Sequence, residues 1–306
     1  MSTRLALGPV LFHWQPEHWR DFYFRIADEA PVDTVYLGEV VCAKRRPFVL
    51  PHLEAVADRL AAAGKEVVRS TLALIMTDEE MAEVADALAD ASLTHEANDL
   101  STAALLAGRR HVVGPFVNVY NEDTLAFLAE RGAYRFSLPA EMPLDALAAL
   151  AATDQARSVE LEVQVFGRLP LAISARCYHA RAHGLAKDGC RFVCGQDPDG
   201  LVVETLDGEP FLAINGTQTL SDSYCCLLDR LDALTAAGIG CFRLWPQRTD
   251  MVEVASLFRA VLEGTLTAEE ATARLGDLVG EVSLANGFLH GREGRAWVDA
   301  RAAAAE

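Results

Sequence analysis

The chain has 306 residues, 51% of them hydrophobic and 23% charged, with a net charge of −17 and seven cysteines. This is the composition of a folded chain with core enough for one large α/β domain or two ordinary ones, and it excludes a disordered protein. The acidic balance argues against general binding to nucleic acid or direct insertion into an anionic membrane, and no apolar run reaches the ~18 residues of a membrane-spanning helix. The N-terminal residues lack a signal-peptide apolar stretch before His13, so a cytoplasmic location is expected. In a reducing compartment an odd number of cysteines does not make a disulfide framework. Their spacing is then a matter of metal, redox or core chemistry.

Residues 5–12 read as a buried strand, followed by an amphipathic stretch around 19–30. A second strand spans 33–41, and a helix follows with Leu50, Leu53, Val56, Leu60 and Ala61 on one face, ended by Gly64. Residues 66–76 form a third strand. Thr77 and Glu80 make a T-x-x-E capping box that opens a helix with Met81, Val84, Ala85 and Leu88 facing inward. The alternation continues with strand residues at 95–98, a short helix at 101–107 and a strand at 111–120. Asn121 then caps a helix that Gly132 ends. Strands at 134–138 and 159–166 enclose a helix at 144–151. After about seventy residues without this rhythm, a strand at 239–245, a helix at 251–262 and a capped helical tail from Thr267 complete the chain.

Eight strands, most followed by a helix, predict a parallel sheet covered on both faces. The count and length fit a closed (β/α)8 TIM-like barrel, and a doubly wound open sheet is the alternative. No Pro- or Gly-rich linker divides the chain. One barrel domain over 1–306 is therefore expected, with an insertion at about 167–220 after the seventh strand and a C-terminal helical tail at about 265–306. Within the insertion, residues 201–205 and 211–214 flank Asp207-Gly208, a hairpin signal.

The cysteines carry the functional information. Cys42 lies just past the second strand, while Cys177, Cys190 and Cys194 follow the seventh, spaced C-x12-C-x3-C. In a barrel, all four sit on the carboxyl-terminal face, where barrel enzymes build their sites. Four converging thiolates suit a structural zinc or an iron–sulfur cluster, because a cationic centre must hold them deprotonated together. The opposing reading is packing as small hydrophobes. For the array of three, the polar neighbours Arg176, His179, Arg181, His183, Lys187 and Asp188 favour ligation; for Cys42, spacing alone leaves both readings open. Cys225 and Cys226, in helical spacing among leucines, and Cys241, inside the last strand, read as core.

Other groups are weaker signals. His179 and His183, at i and i+4, can add imidazole ligands if that stretch is helical; a solvated basic segment is the favoured alternative. Glu160 and Glu162 share one face of a strand and can form an acid/base pair, but carboxylates satisfied by a nearby Arg are preferred. Arg243, with Trp245 at the end of the last strand, is a candidate anion ligand on the cysteine rim. The sequence contains no G-x-S-x-G elbow, H-E-x-x-H pair or Gly-rich phosphate loop.

The run Glu160-Leu161-Glu162-Val163-Gln164-Val165-Phe166-Gly167-Arg168-Leu169-Pro170, leading into Ser174-Ala175-Arg176-Cys177, resembles the signature region of the collagenase-like peptidase family. That family includes paired U-type and V-type subunits of oxygen-independent ubiquinone biosynthesis. Glu96-Ala97-Asn98-Asp99-Leu100, Asn118-Val119-Tyr120-Asn121 and the ending from Asn286-Gly287-Phe288 to Gly291-Arg292 resemble the V type. The U type carries a cysteine after Gly-x-Leu, where this chain has Pro170. The resemblance implies one 4Fe-4S cluster held by Cys42, Cys177, Cys190 and Cys194, and pairing with a UbiU-like subunit that holds its own. It further implies a role in dioxygen-independent hydroxylation of ubiquinone precursors, with prephenate as oxygen source. A lipid-binding accessory protein would present the substrate, and peptidase activity is not expected. Without the resemblance, a structural metal site in a scaffold that activates a partner stands as the alternative.

Overall fold

A computed structural model describes residues 3–299. Eight parallel strands close into a (β/α)8 barrel: β1 (Arg4–Leu7), β2 (Thr34–Leu37), β3 (Glu66–Ser70), β4 (Thr94–Ala97), β5 (His111–Val113), β6 (Ala133–Ser137), β7 (Glu160–Ile173) and β11 (Cys241–Leu244). Closure comes from β11, which pairs in parallel with both β1 and β7. The predicted barrel is therefore the observed one, and the open-sheet alternative falls.

Between the strands run α1 (Pro16–Glu29), α2 (Arg46–Ala62), α3 (Asp78–Ala87), α4 (Leu100–Leu105), α5 (Glu122–Ala129) and α6 (Leu144–Ala151). Local chemistry sets several of their starts. The Thr77 hydroxyl accepts from the Glu80 amide, and Asn121 caps α5 through the Thr124 amide. The chain closes with α9 (Met251–Leu262), whose Asp250 cap accepts from two amides, and α10 (Ala268–Val279), which opens on a full capping box from Thr267 and Glu270.

Past its barrel portion β7 continues outward as a ribbon. Antiparallel to it lies β10 (Gln218–Cys226), followed by β9 (Pro210–Asn215) and β8 (Leu201–Glu204). The predicted hairpin is thus present, and one further strand joins it. Cys225 and Cys226 lie on that strand and not on a helix; their leucine neighbours mark a buried strand end, and both thiols are buried as expected. A short helix α8 (Leu231–Ala236) leads into β11. The C-terminal tail is helical only through Val279. Leu284–Ala285 then pairs with β10 as β12, and a single-turn helix at Gly287–His290 follows. The end of the expected tail, 300–306, lies outside the described residues.

Several strands are shorter than their apolar runs. Leu11, Val40, Val41 and Trp245, all beyond the ends of their strands, pack together with Cys42, Ala73 and Phe116 as a plug over the carboxyl-terminal mouth. Trp245 needs close approach on two sides. A Cβ on Gly8 would stand 2.8 Å from its ring, and one on Gly167, whose φ is +105°, would stand 2.8 Å from its Cβ.

Below the plug the barrel holds a buried charged layer. Arg243 is fully buried, its Nη2 2.7 Å from Glu96 Oε1 and 2.5 Å from Glu162 Oε1, and its guanidinium lies 3.9 Å from the Tyr36 ring centroid. It therefore does not face the cysteine rim as a free anion ligand. A side chain at that register of β11 turns into the barrel, where two carboxylates neutralise it. The second negative charge is spread over donors: Tyr36 and Cys241 donate to Glu162, and Ser70 and Asn98 to Glu96. Glu160 is likewise held by Arg135 at 2.7 Å, so the two strand carboxylates are arginine-satisfied and not an acid/base pair. Removing Arg243 leaves two buried carboxylates without a counter-charge. Arg243→Met is expected to lose about 3–5 kcal/mol in urea unfolding, and adding Glu96→Gln and Glu162→Gln to recover part of it.

Candidate metal centre

The four predicted cysteines come from two distant loops and line one small pocket. Cys42 follows β2 and precedes a single-turn helix at Ala43–Arg45. Cys177 caps α7 (Tyr178–Ala182), its sulfur 3.4 Å from the Ala180 amide. Cys190 and Cys194 bracket Arg191 and Phe192, whose φ values of +50° and +54° are uncommon for residues with a Cβ. This left-handed pair turns the C-x3-C segment back so that both sulfurs reach the same pocket.

The two loops are tied together. Lys44 Nζ donates to the Lys187 carbonyl and to Asp188 Oδ1, each at 3.0 Å. The β9–β10 turn braces both sides: Thr217 Oγ1 donates to the Val41 carbonyl, and the Ser174 amide to the Thr217 carbonyl. Phe192 packs with His13 and Phe48, ring centroids 4.8–5.7 Å apart.

Beneath the sulfurs lies Arg45, only 2% exposed. Its Nη1 donates to the Leu11 carbonyl at 2.9 Å and its Nη2 to Asn215 Oδ1 at 3.0 Å. Although burial opposes its charge, Glu39, Cys194 and Cys42 hold it firmly protonated. Gly216, at φ +63°, keeps its place open, since a Cβ there would stand 2.6 Å from Nη2. Burial pushes the Cys42 and Cys194 thiols up; Arg45 pulls the other way, and Cys177 and Cys190 push Cys194 up further. Arg45 is joined at the pocket by Lys44 and Lys187, and three cations still do not offset four thiolates, so the pocket fits a cationic group ligated by sulfur. The donor set is soft and holds no carboxylate, which fits iron–sulfur or zinc chemistry.

The remaining cysteines stand apart. Cys225, Cys226 and Cys241 are buried, and Cys241 donates to Glu162 inside the barrel. His179 and His183 belong to a helical turn, as ligation requires, but not to a solvated segment: His179 is fully buried beside the pocket, while His183 is exposed. Sequence reasoning missed Arg45 and Asp197. The basic run Lys44-Arg45-Arg46 directly after Cys42 was the available signal for the first. Asp197 had none, because its role depends on a fold-brought contact with His179.

The profile of Peptidase family U32 matches residues 21–299. The chain belongs to that family. Among solved structures it is similar to the U32 peptidase Mk0906, at 13% identity over 81% of this chain and 94% of that one, with a TM-score of 0.45. A phospho-2-dehydro-3-deoxyheptonate aldolase from Thermotoga maritima is 10% identical over 92% of this chain and 72% of that one, at a TM-score of 0.42. An L-ribulose 3-epimerase is 14% identical, covering 90% and 94%, at 0.39. No described helix is long and apolar enough to cross a membrane.

Burial, with Arg45 adding to it, pushes His13 down from 6.5 to about 4. The unfolded chain therefore takes up this proton first. The stability from a neutral His13 is complete above about pH 6.5 and is lost as the pH falls through about 4. Thermal melts at pH 7 and pH 5 are expected to show a lower midpoint at pH 5. His13→Phe should make that difference smaller, although His95, His111 and His179, also pushed down by burial, keep part of it. An unchanged difference would mean that His13 titrates in solvent.

Proposed function

We propose that the protein is the V-type, UbiV-like iron–sulfur subunit of a heterodimer that supports dioxygen-independent hydroxylation of ubiquinone precursors. The observation that carries the metal assignment is the convergence of Cys42, from the loop after β2, with Cys177, Cys190 and Cys194 on one pocket. Those residues would hold one 4Fe-4S cluster. When bound, such a cluster supplies one-electron redox chemistry.

Spacing supports a large group over zinc. A tetrahedral zinc with Zn–S bonds of about 2.3 Å draws its sulfurs to about 3.8 Å from one another. Among the described residues no three of the four cysteine sulfurs lie within 4.8 Å of each other. Arg45 fixes the loop of Cys42 and places one positive charge against the sulfurs, which favours the more negative state of a thiolate-ligated centre. Phe192, one of the residues lining the pocket, is held there by packing against Phe48 and His13.

The UbiU-like partner, and a lipid-binding accessory protein that presents the substrate, follow from the sequence resemblance. Peptide hydrolysis is not assigned to this chain. The resemblance to the V type carries no peptidase activity, and the sequence has neither a G-x-S-x-G elbow nor an H-E-x-x-H pair.

Anaerobic co-purification with a U-type partner, with iron and acid-labile sulfide measured in each subunit, tests the reading. The protein is expected to be brown, with iron and sulfide in equal amounts, and Cys42→Ser to lose most of both. Cys225→Ala with Cys226→Ala is expected to keep them. Full iron content in Cys42→Ser would return Cys42 to the core. A colourless chain holding zinc would favour the structural metal site in a partner-activating scaffold.

A further inference from the structure

The loop after β7 brings together a second set of metal-ligating side chains. Ring nitrogens of His179 and His183 and a carboxylate oxygen of Asp197 lie within 4.8 Å of one another. The partners of His179 decide what the set can do. Its Nδ1 lies 3.2 Å from the Ile214 carbonyl oxygen and its Nε2 2.8 Å from Asp197 Oδ2. A carbonyl only accepts, so Nδ1 carries the hydrogen. In the neutral ring Nε2 then presents a lone pair to a carboxylate oxygen, and two acceptors face each other at hydrogen-bond distance. A positive species is needed between them.

A backbone carbonyl on Nδ1–H is also what orients a metal-binding histidine and leaves Nε2 as the ligand atom. Bonds of about 2.1 Å in a tetrahedral site place neighbouring ligand atoms about 3.4 Å apart, so the pair at 2.8 Å has to open by only about 0.6 Å to take an ion. His183 follows one helical turn later. Its ring is parallel to that of His179 within 5°, the centroids are 5.7 Å apart, and its exposure gives an ion a path from solvent. Asp197 comes three residues after Cys194.

We propose that His179, His183 and Asp197 form a second metal site, for a borderline divalent ion such as zinc, separate from the four-cysteine pocket. Two imidazoles and one carboxylate are a donor set suited to that class, with the remaining coordination position left to water. His179 also lines the cysteine pocket, so the two sites share a wall. The site stands on its own geometry and does not depend on what the cysteines hold.

Cobalt(II) titration of the anaerobically purified full chain tests it, read by visible spectroscopy. Nitrogen and oxygen ligands give weak d–d bands, whereas thiolates add intense charge-transfer bands, so the two pockets are told apart even in a chain without iron. The weak bands are expected to saturate at about one ion per chain. His183→Ala, at an exposed position, and Asp197→Asn are each expected to weaken that binding at least about tenfold while iron content stays unchanged. If cobalt uptake and the weak bands are the same in both variants, the His179–Asp197 pair holds a proton and no metal, and the proposal is overturned.

Discussion

Four thiols facing one small, partly buried pocket cannot all ionise without compensating positive charge, and Lys44, Arg45 and Lys187 stand around it. Burial raises the Cys42 and Cys194 thiols, and Cys177 and Cys190 raise Cys194 further. Arg45 answers only part of this. It is fixed by the Leu11 carbonyl and by Asn215, and a glycine at 216 leaves it room. The loop after β2, the array after β7 and the turn between β9 and β10 are cross-tied by Lys44, Thr217 and Ser174 before any ligand binds. On the proposed reading, these ties would hold the pocket ready for a cation-centred group ligated by sulfur.

The barrel serves this pocket in an unusual way. Barrel enzymes build their sites in the mouth at the carboxyl ends of the strands. Here Leu11, Val40, Val41 and Trp245 fill that mouth, and the charged layer of Arg243, Glu96 and Glu162 is sealed beneath them. The chemistry-bearing residues are displaced to the side of the rim, between the loop after β2 and the ribbon of β7 to β10. The insertion is what makes a site off the barrel axis possible, because it supplies three of the four cysteines and the turn that braces Arg45.

Legibility in the sequence followed from how local each feature is. Alternating β-branched runs and helix caps such as Thr77, Asn121 and Thr267 are local, and they disclosed the eight barrel strands and their order. Strand lengths were overread wherever an apolar run continued into the plug, since Val40 and Val41 look the same in a strand and in a loop folded over a core. Cys225 and Cys226 were read on a helix because their leucine neighbours extend past the end of β10 into a different environment. The cysteine spacing was visible, but Arg45, Asp197 and the inward turn of Arg243 were not, because each depends on partners more than fifteen residues away.

Native mass spectrometry of the chain, isolated and sprayed without oxygen, tests the central claim most directly. A 4Fe-4S cluster on Cys42, Cys177, Cys190 and Cys194 adds about 350 Da to the polypeptide, and the increment should vanish when Cys42 is replaced by Ser. An increment of about 65 Da, that of a single zinc, or an unmodified mass from protein made under iron-replete, anaerobic conditions would contradict it.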